Sequence, residues 1–230
     1  MEHTETDPDI PIVYEDRHLL IIDKPHNLLS QEDHTGDADV LRLCKEYLNK
    51  QSSASGGSYL GLVQRLDRPV GGLMVLAKDS ATARSLSKQI SDRLVQKTYL
   101  AVVYGSPPAN GVLTHYLLKD QQKNVVETAS EKNKNAKKAV LSFAKLLEVD
   151  HLSLLSIHLQ TGRPHQIRVQ LSEEGYPIWG DYKYGTQNKP DGRTIALRAS
   201  ELIFKHPKTQ KEMHFELPPP EEHPWNRFSN

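Results

Sequence analysis

Long apolar runs are missing from this chain of 230 residues. No stretch approaches the ~20 apolar residues that cross a bilayer. The first residues, MEHTETDPDIP, lack the basic and apolar regions of a secretory signal. A hydrophobic share of 37% and a mean hydropathy of -0.59 are typical of a soluble globular protein. We therefore expect a cytoplasmic protein that has no contact with membranes.

Cysteine is nearly absent, since Cys44 is the one cysteine of the chain. This excludes an internal disulfide and any metal site built from several thiolates. His151, His158 and His165 recur every seven residues, but the first two fall in predicted strands and the third in a predicted helix. No His-Glu-x-x-His pair accompanies them. We expect no metal site.

Net charge is missing too, because 29 Lys+Arg balance 29 Asp+Glu. The total hides a split: residues 1–39 hold eleven acidic and two basic side chains, and the rest of the chain carries the opposite excess. A mildly basic body behind an acidic leader permits a polyanionic partner without demanding one. A solvated tail and an ordinary surface explain the charge equally well.

Strand patterns dominate what is present, and short turns join many of them. The predicted strands lie at 10–25 (two strands), 59–66, 73–78, 97–105, 111–118, 123–128, 139–149, 152–160, 194–204 and 211–218. The pattern predicts an α+β fold with a mostly antiparallel sheet.

Three helices are predicted between these strands. The first covers DADVLRLCKEYLNK, and the second begins at Asp79 or Ser80 with an apolar stripe that runs from Ala83 to Leu94. The third covers RPHQIRVQLSEEG, with Pro164 at its first position, where proline is favoured.

An unusual loop, QRLDRPVGG, places Asp67 between Arg65 and Arg68. A carboxylate near an apolar core tends to be neutral, but neighbouring arginines keep it ionised and ready to act as a nucleophile or base. Pro69 stiffens the loop, and the two glycines that follow leave room for a substrate. By itself, this pattern is more typical of a surface aspartate in a turn with a weak ion pair.

A second group of polar residues lies in QTGRPHQIR, where a strand ends and a helix begins. The helix start and Arg163 favour an anion. The spacing of His165, Arg168 and Ser172 predicts that they share one helix face, so that Arg168 can pair with a carboxylate or phosphate. A capped surface helix is an equally good interpretation. Tyr99, in KTYLAVVYG, can stack on a base and exchange a proton, although a lone strand tyrosine is usually core.

Five segments in order carry a more specific signal than any one of these groups. They are VYEDRHLLIIDKP, QRLDRPVGGLMVLAK, QKTYLAVVYG, LQTGRPHQIRVQLSEEGYPIWGDYKYG and ALRASELIFKHPKTQKEMHFELP. This series resembles the RluA-type family of pseudouridine synthases over nearly the whole chain. The resemblance implies a central mixed sheet with flanking helices and an active-site cleft across it. It also implies isomerisation of uridine to pseudouridine in structured RNA (tRNA, rRNA or both), with neither cofactor nor metal.

The resemblance assigns roles residue by residue. Asp67 matches the family's essential aspartate, Tyr99 its active-site tyrosine, and Arg168 the basic residue that pairs with the aspartate. Arg65 matches an arginine that helps to displace the target base, and Leu197 matches an apolar wall of the pocket. Asp67 has three possible roles, which are attack on C6, attack on C1′ or removal of the C2′ proton. We place Arg163 and His165 with the substrate-binding residues.

The sequence departs from the family pattern around the Asp67 loop. Gln64 replaces a usual histidine, Val70-Gly71-Gly72 replaces Thr-Ser-Gly, and Arg198 also replaces a histidine. No essential group is lost, and we expect an active enzyme with altered hydrogen bonding near the loop.

The domain organisation follows from the extent of the resemblance. We expect a leader over residues 1–11, one catalytic domain over 12–218 and a C-terminal tail over 219–230, with no separate N-terminal RNA-binding domain, in a monomer. Two alternatives remain: a non-catalytic RNA-binding protein on the same fold, and a carboxylate-dependent nucleoside or glycoside hydrolase. The hydrolase needs a second catalytic carboxylate, for which the sequence offers no obvious candidate.

Overall fold

A computed structural model describes residues 9–51, 57–185 and 194–228. The chain divides into two compact units. One comprises the residues up to Val95 together with Ile203–Phe215, and the other comprises Gln96–Leu202 together with the residues from Glu216 onward. Residues 1–8 of the expected leader lie outside the described residues. One catalytic domain over 12–218 stays a prediction.

The first unit is built around two fully buried strands. Its elements are β1 (Ile12–Glu15), β2 (Leu19–Lys24), α1 (Val40–Gln51), β3 (Gly61–Leu62), β4 (Gly71–Ala77) and α2 (Ser80–Ser91). β2 pairs antiparallel with β1 on one side and with β4 on the other, and β3 pairs antiparallel with β4. Because β2 and β4 read as continuous apolar runs, they form the core of this unit.

The helix after β4 begins as the sequence predicts. The Asp79 carboxylate accepts a hydrogen bond from the Thr82 amide at 2.7 Å and caps α2. α2 ends at Ser91, however, and Leu94 is 61% exposed. The predicted apolar stripe is therefore wrong at its last member, which lies beyond the helix.

The second unit is an antiparallel sheet with one α-helix and one 3₁₀ turn among its described residues. Its elements are β5 (Gln96–Tyr104), β6 (Asn110–Asp120), β7 (Val125–Ala129), β8 (Lys137–Val149), β9 (Leu152–Leu159), α3 (Gln166–Glu173) and a 3₁₀ turn (Trp225–Phe228). Its strands run in the order β5-β9-β8-β6-β7, and each neighbouring pair is antiparallel. Residues of the expected C-terminal tail are ordered against this unit, since Trp225 is buried.

The last two strands cross the boundaries between the two units along the chain. β10 (Leu197–Lys205) passes from the second unit to the first after Leu202, and it pairs with β11 (Glu212–Glu216). The α+β class with mostly antiparallel strands is confirmed. The active-site cleft across the sheet stays a prediction.

Two predicted element boundaries are wrong. Of the strand expected at 59–66, only Gly61 and Leu62 are paired, because the chain leaves the sheet to form the loop that carries Asp67. Pro164 is not the first residue of α3. The helix begins at Gln166 after His165, whose φ of 52° is left-handed, so the proline precedes the cap. Among the helices of the described residues, none is long and apolar enough to span a membrane.

Candidate active site

Asp67 lies in the first unit, in the loop between β3 and β4. Its side chain is half-buried, whereas the neighbouring Leu66 is buried and Arg65 and Arg68 are exposed. The Val70 amide donates to the Asp67 carbonyl at 2.9 Å and closes a turn at Pro69. The loop therefore presents the carboxylate from a turn that is closed by its own backbone.

The segment after β2 holds the backbone of this loop on both sides of Asp67. The Ser30 hydroxyl donates to the Leu66 carbonyl at 2.8 Å and accepts from the Leu66 amide at 3.2 Å. The Lys24 ammonium donates to the Arg68 carbonyl at 3.1 Å. The His26 Nδ1 is 2.8 Å from the Pro69 carbonyl, which can only accept, so Nδ1 carries the proton. These contacts fix the position of Asp67 relative to β2.

Lys24 itself is fully buried, which is rare for lysine. Besides the Arg68 carbonyl, its Nζ donates to the carbonyls of Pro25 at 2.8 Å and Leu28 at 2.6 Å. Burial lowers the pKa of Lys24 to about 7, while the negative charge of Asp67 acts in the opposite direction. The three carbonyls match the three N–H donors of the protonated side chain.

The two arginines beside Asp67 have different surroundings. Arg68 pairs with the Asp37 carboxylate at 2.7 Å, and its Nε donates to the Asn27 carbonyl at 3.2 Å. Arg65 is exposed. Both arginines are therefore exposed, but the charge of Arg68 is already matched by an acidic partner.

The glycine at position 71 is explained by a neighbouring histidine. A Cβ at Gly71 would lie 2.9 Å from His26 Nε2 and 3.1 Å from the Lys24 carbonyl, closer than such atoms normally approach. A serine at this position, as in the family pattern, would require His26 to move. Glycine at position 71, in place of the serine of the family pattern, therefore leaves room for the His26 side chain that contacts the loop at Pro69.

In the second unit, the chain before α3 is tied to β8 through Gln166. Its side-chain oxygen accepts from the Arg163 amide at 3.0 Å and from the Thr161 hydroxyl at 2.8 Å, and its nitrogen donates to the Val140 carbonyl at 3.1 Å. Arg163 is half-buried, and its Nε donates to the Lys138 carbonyl at 3.0 Å. The guanidinium of Arg163 is therefore held beside the lysines that begin β8.

Arg168 projects from α3 onto an aspartate that the sequence analysis did not single out. Its Nε donates to Asp181 Oδ2 at 2.7 Å and its Nη2 donates to Oδ1 at 2.8 Å. The two side chains are 7% and 1% exposed, so this is a buried bidentate ion pair. The Tyr184 ring lies against the guanidinium, with its centroid 5.1 Å from Cζ.

The other predicted residues of this helix face also meet Tyr184. His165 Nδ1 is 2.6 Å from the Tyr184 hydroxyl, and the Ser172 hydroxyl donates to the Tyr184 carbonyl. His165, Arg168 and Ser172 thus share one face, as their spacing predicts. One residue, Tyr184, contacts all three of them.

Tyr99 and Leu197 are buried residues of the second unit. Tyr99 lies on β5 opposite Ile157 of β9 and is 8% exposed. Leu197 is the first residue of β10 and is 3% exposed. Their burial is consistent with two roles, as ordinary core residues or as residues that line a closed pocket.

The structure groups the predicted site residues by unit. Arg65 and Asp67 belong to the first unit. Tyr99, Arg163, His165, Arg168 and Leu197 belong to the second. The pairing of Asp67 with Arg168 joins residues of different units and stays a prediction. Among the described residues, no group of three or more His, Cys, Asp or Glu side chains is placed to hold a metal ion.

Sequence reasoning missed the residues that support the site. Lys24 and Ser30 were not singled out, although a lysine at the end of a fully apolar strand is a signal in itself. Asp181 and Tyr184 were part of a quoted segment, WGDYKYG, but nothing in their spacing showed that they contact α3.

Comparison with known proteins identifies the family of this chain. The family model described as RNA pseudouridylate synthase matches residues 18–173, which include Asp67, Tyr99 and Arg168. The chain belongs to this family. The RNA pseudouridine synthase YlyB of Bacillus subtilis, an uncharacterized protein, is 32% identical over 217 residues, which is 93% of this chain and 70% of that protein. The ribosomal large subunit pseudouridine synthase D of Zymomonas mobilis is 31% identical over 229 residues, with 93% and 71% covered.

A solved structure supports the fold at lower sequence identity. The human protein named RNA pseudouridylate synthase domain containing 4 aligns with a TM-score of 0.76 at 23% identity, covering 91% of this chain and 88% of that one. Membership of the pseudouridine synthase family makes this protein an isomerase of RNA, and it favours the catalytic interpretation over the non-catalytic alternative.

Proposed function

We propose that this pseudouridine synthase isomerises uridine in ribosomal RNA, transfer RNA or both, with Asp67 as the reacting carboxylate. The immobilised Asp67 loop carries the proposal. Ser30 fixes the residue before Asp67 and Lys24 fixes the residue after it, so the backbone that carries the carboxylate is held in place before any substrate arrives. Preorganised groups of this kind lower a barrier because their ordering cost is met during folding.

The reaction balances without an oxidant or a cofactor. The bond between N1 and C1′ breaks, the uracil turns, and C5 bonds to C1′. C5 then loses its proton while N1 gains one, so the product is an isomer of the substrate. Asp67 assists the break at the sugar or at the base, and Tyr99 contacts the uracil. Arg168 keeps Asp67 ionised.

Substrate binding involves the remaining residues. The target base is flipped out of its stack, and Arg65, exposed beside the loop, fills the vacated space. Arg163 and His165 contact the RNA backbone, and Leu197 lines the pocket for the base. We expect a monomer in the cytoplasm.

The test uses RNA that carries tritium at C5 of uridine, because formation of the C5–C1′ bond releases that label. The expected result is release from large-subunit ribosomal RNA or from transfer RNA with the wild-type chain and none above background with Asp67→Asn. Asp33→Asn, in an exposed loop where the carboxylate accepts from Thr35, is the control and should retain full activity. Equal background release by wild type and Asp67→Asn, with RNA still bound, would establish the non-catalytic alternative instead.

A further inference from the structure

Two side chains of the turn at Gly180–Gly185, those of Asp181 and Tyr184, contact Arg168 of α3. Asp181 begins the turn, and the Gly185 amide donates back to its carbonyl at 2.8 Å. Besides the Arg168 guanidinium, the Asp181 carboxylate accepts from the amides of Lys183 at 3.0 Å and Tyr184 at 3.3 Å. The carboxylate therefore has four donors and is itself fixed in place.

Gly180 makes this turn possible. Its φ of +76° is left-handed, and a Cβ there would lie 2.7 Å from the Thr194 carbonyl oxygen. A residue with a side chain would be strained and would collide with backbone that cannot give way. The backbone at position 180 thus determines where the carboxylate of residue 181 is presented.

Tyr184 constrains the same guanidinium from a second direction. The Arg168 Cζ lies over the Tyr184 ring, 5.1 Å from its centroid, while Asp181 occupies an edge of the guanidinium. The Tyr184 hydroxyl accepts from the Val126 amide at 2.9 Å and lies 2.6 Å from His165 Nδ1. These two contacts hold the ring of Tyr184 in place beside Arg168.

An arginine side chain has many rotamers, and burial alone does not choose among them. Here the bidentate carboxylate restricts the orientation of the guanidinium, and the Tyr184 ring limits the space beside it. Two of the donors, on Nε and Nη2, are taken up by Asp181, which determines the direction of the third nitrogen, Nη1. Arg168 is thus held in one orientation by groups of its own unit.

From this geometry we infer that Asp181 and Tyr184 are positioning residues of the synthase, which set the orientation in which Arg168 acts on Asp67. The inference rests on the proposed function of Arg168. Neither residue touches the substrate.

The test separates positioning from a purely structural role. Asp181→Asn keeps the shape of the side chain but removes the charge, and we expect kcat to fall about 10²-fold because the guanidinium is no longer fixed. The dissociation constant for the RNA should change by less than about threefold, since Asp181 does not contact RNA. Asp16→Asn is the matched control. Asp16 also accepts from two backbone amides and pairs with a basic side chain, and its loss should lower thermal stability without lowering kcat.

The second arm of the test uses Arg168→Lys. If Asp181 acts through Arg168, adding Asp181→Asn to Arg168→Lys should lower kcat by less than about threefold further. Multiplicative losses in the double variant would overturn the inference. If the wild type is active and Asp181→Asn retains full kcat, the inference is also overturned. The proposed function is not affected by this outcome. A wild type that makes no pseudouridine in any RNA contradicts the proposed function itself, whatever the variants do.

Two further variants apply if Asp181→Asn does not fold. Asp181→Glu retains the charge and displaces the guanidinium by one methylene, and the same fall in kcat is expected. Tyr184→Leu removes the ring beside Arg168 and should lower kcat about tenfold. Wild-type kcat in both Asp181→Glu and Tyr184→Leu would refute the positioning role.

Discussion

Arg168 and Asp181 are joined by two parallel hydrogen bonds of 2.7 and 2.8 Å, and both side chains are almost completely buried. The sequence predicts that Arg168 pairs with a carboxylate, and the structure provides one thirteen residues further along the chain. This partner belongs to the same unit as Arg168. The ion pair therefore has a structural role in addition to the role proposed for Arg168 in catalysis.

Breaking this pair should destabilise the protein. Arg168→Met leaves the Asp181 carboxylate buried with its two amide donors but without its cation, and we expect a loss of about 3–5 kcal/mol in the free energy of unfolding. The double variant Arg168→Met/Asp181→Leu removes both charges and should recover much of this loss. Urea unfolding of the wild type, Arg168→Met, Asp181→Leu and the double variant measures the coupling. Additive losses in the double variant would show that the two charges do not stabilise each other.

Lys24 predicts a pH dependence of stability. Its pKa is lowered by burial from 10.5 to about 7 in the folded protein, so between these values the unfolded chain binds more protons than the folded one. The free energy of unfolding of the wild type should therefore rise with pH between about 7.5 and 9.5, by on the order of 1 kcal/mol per pH unit relative to Lys24→Met. Unfolding curves at four pH values test this difference. Parallel pH profiles for the two proteins would mean that Lys24 remains charged throughout.

Ser30 should affect catalysis more than its small side chain suggests. Ser30→Ala removes both contacts with the Leu66 backbone, which precedes Asp67. A buried amide and carbonyl then lose their partner, and we expect a cost of about 1–3 kcal/mol in stability. Because the loop also becomes looser, kcat should fall about tenfold. Ser91→Ala removes an exposed hydroxyl that donates to the Lys88 carbonyl at the end of α2, and it should leave kcat unchanged. Equal kcat for the two variants would show that Ser30 does not hold the loop.

The course of the chain in β2, β4 and β5 was predictable because apolar runs and β-branched residues indicate strands directly. So was the shared face of His165 and Arg168, which depends only on helical spacing. The paired strand at 59–66 was not, since an apolar sequence such as YLGLVQRL does not show that only two residues find a partner. The cap of α3 also escaped prediction, because the sequence does not show which residue before the helix adopts the left-handed conformation found at His165.

The residues that support the site could not be predicted from the sequence for a different reason. Lys24 and Arg68 are 44 residues apart, and the contact between them depends on the register of β2 against β4. Sequence patterns describe one element at a time and do not fix such registers. The family resemblance identifies Asp67 and Arg168, but the groups that hold them become visible only when the elements are assembled.

Arg65 and Arg68 should differ in their effects on catalysis although only two residues separate them. Arg65 is exposed, and we propose that it fills the space left by the flipped base, so Arg65→Ala should lower the single-turnover rate by about 10–100-fold. Arg68 is paired with Asp37, so Arg68→Ala should have a much smaller effect on that rate. The salt dependence of RNA binding provides a second measurement. A phosphate contact at Arg65 would reduce the slope of log K against log salt by about one upon mutation, whereas an inserted side chain would not. A larger rate loss for Arg68→Ala than for Arg65→Ala would contradict this assignment.

Asp16 should determine part of the stability at acid pH. Burial raises the pKa of Asp16, but the His18 and Leu19 amides, His206 and Tyr14 stabilise the ionised form and lower it overall. His206 Nδ1 accepts from the amides of Lys208 and Thr209, so its proton lies on Nε2 and points to Asp16 at 2.9 Å. A lowered pKa gives stability that is present above the unfolded value of about 3.9 and is lost as the pH falls through the folded value.

The measurement compares Asp16→Asn with the wild type between pH 6 and pH 2.5. Above pH 5 the wild type should be more stable by a constant amount, because Asp16 is then ionised in both the folded and the unfolded chain. Below pH 4 this advantage should shrink as the carboxyl group becomes protonated and the contact with His206 weakens. Glu212→Gln, at an exposed position of β11, should follow the wild-type curve throughout. An advantage that stays constant down to pH 2.5 would mean that the charge of Asp16 does not contribute to the contact between the β1–β2 turn and His206.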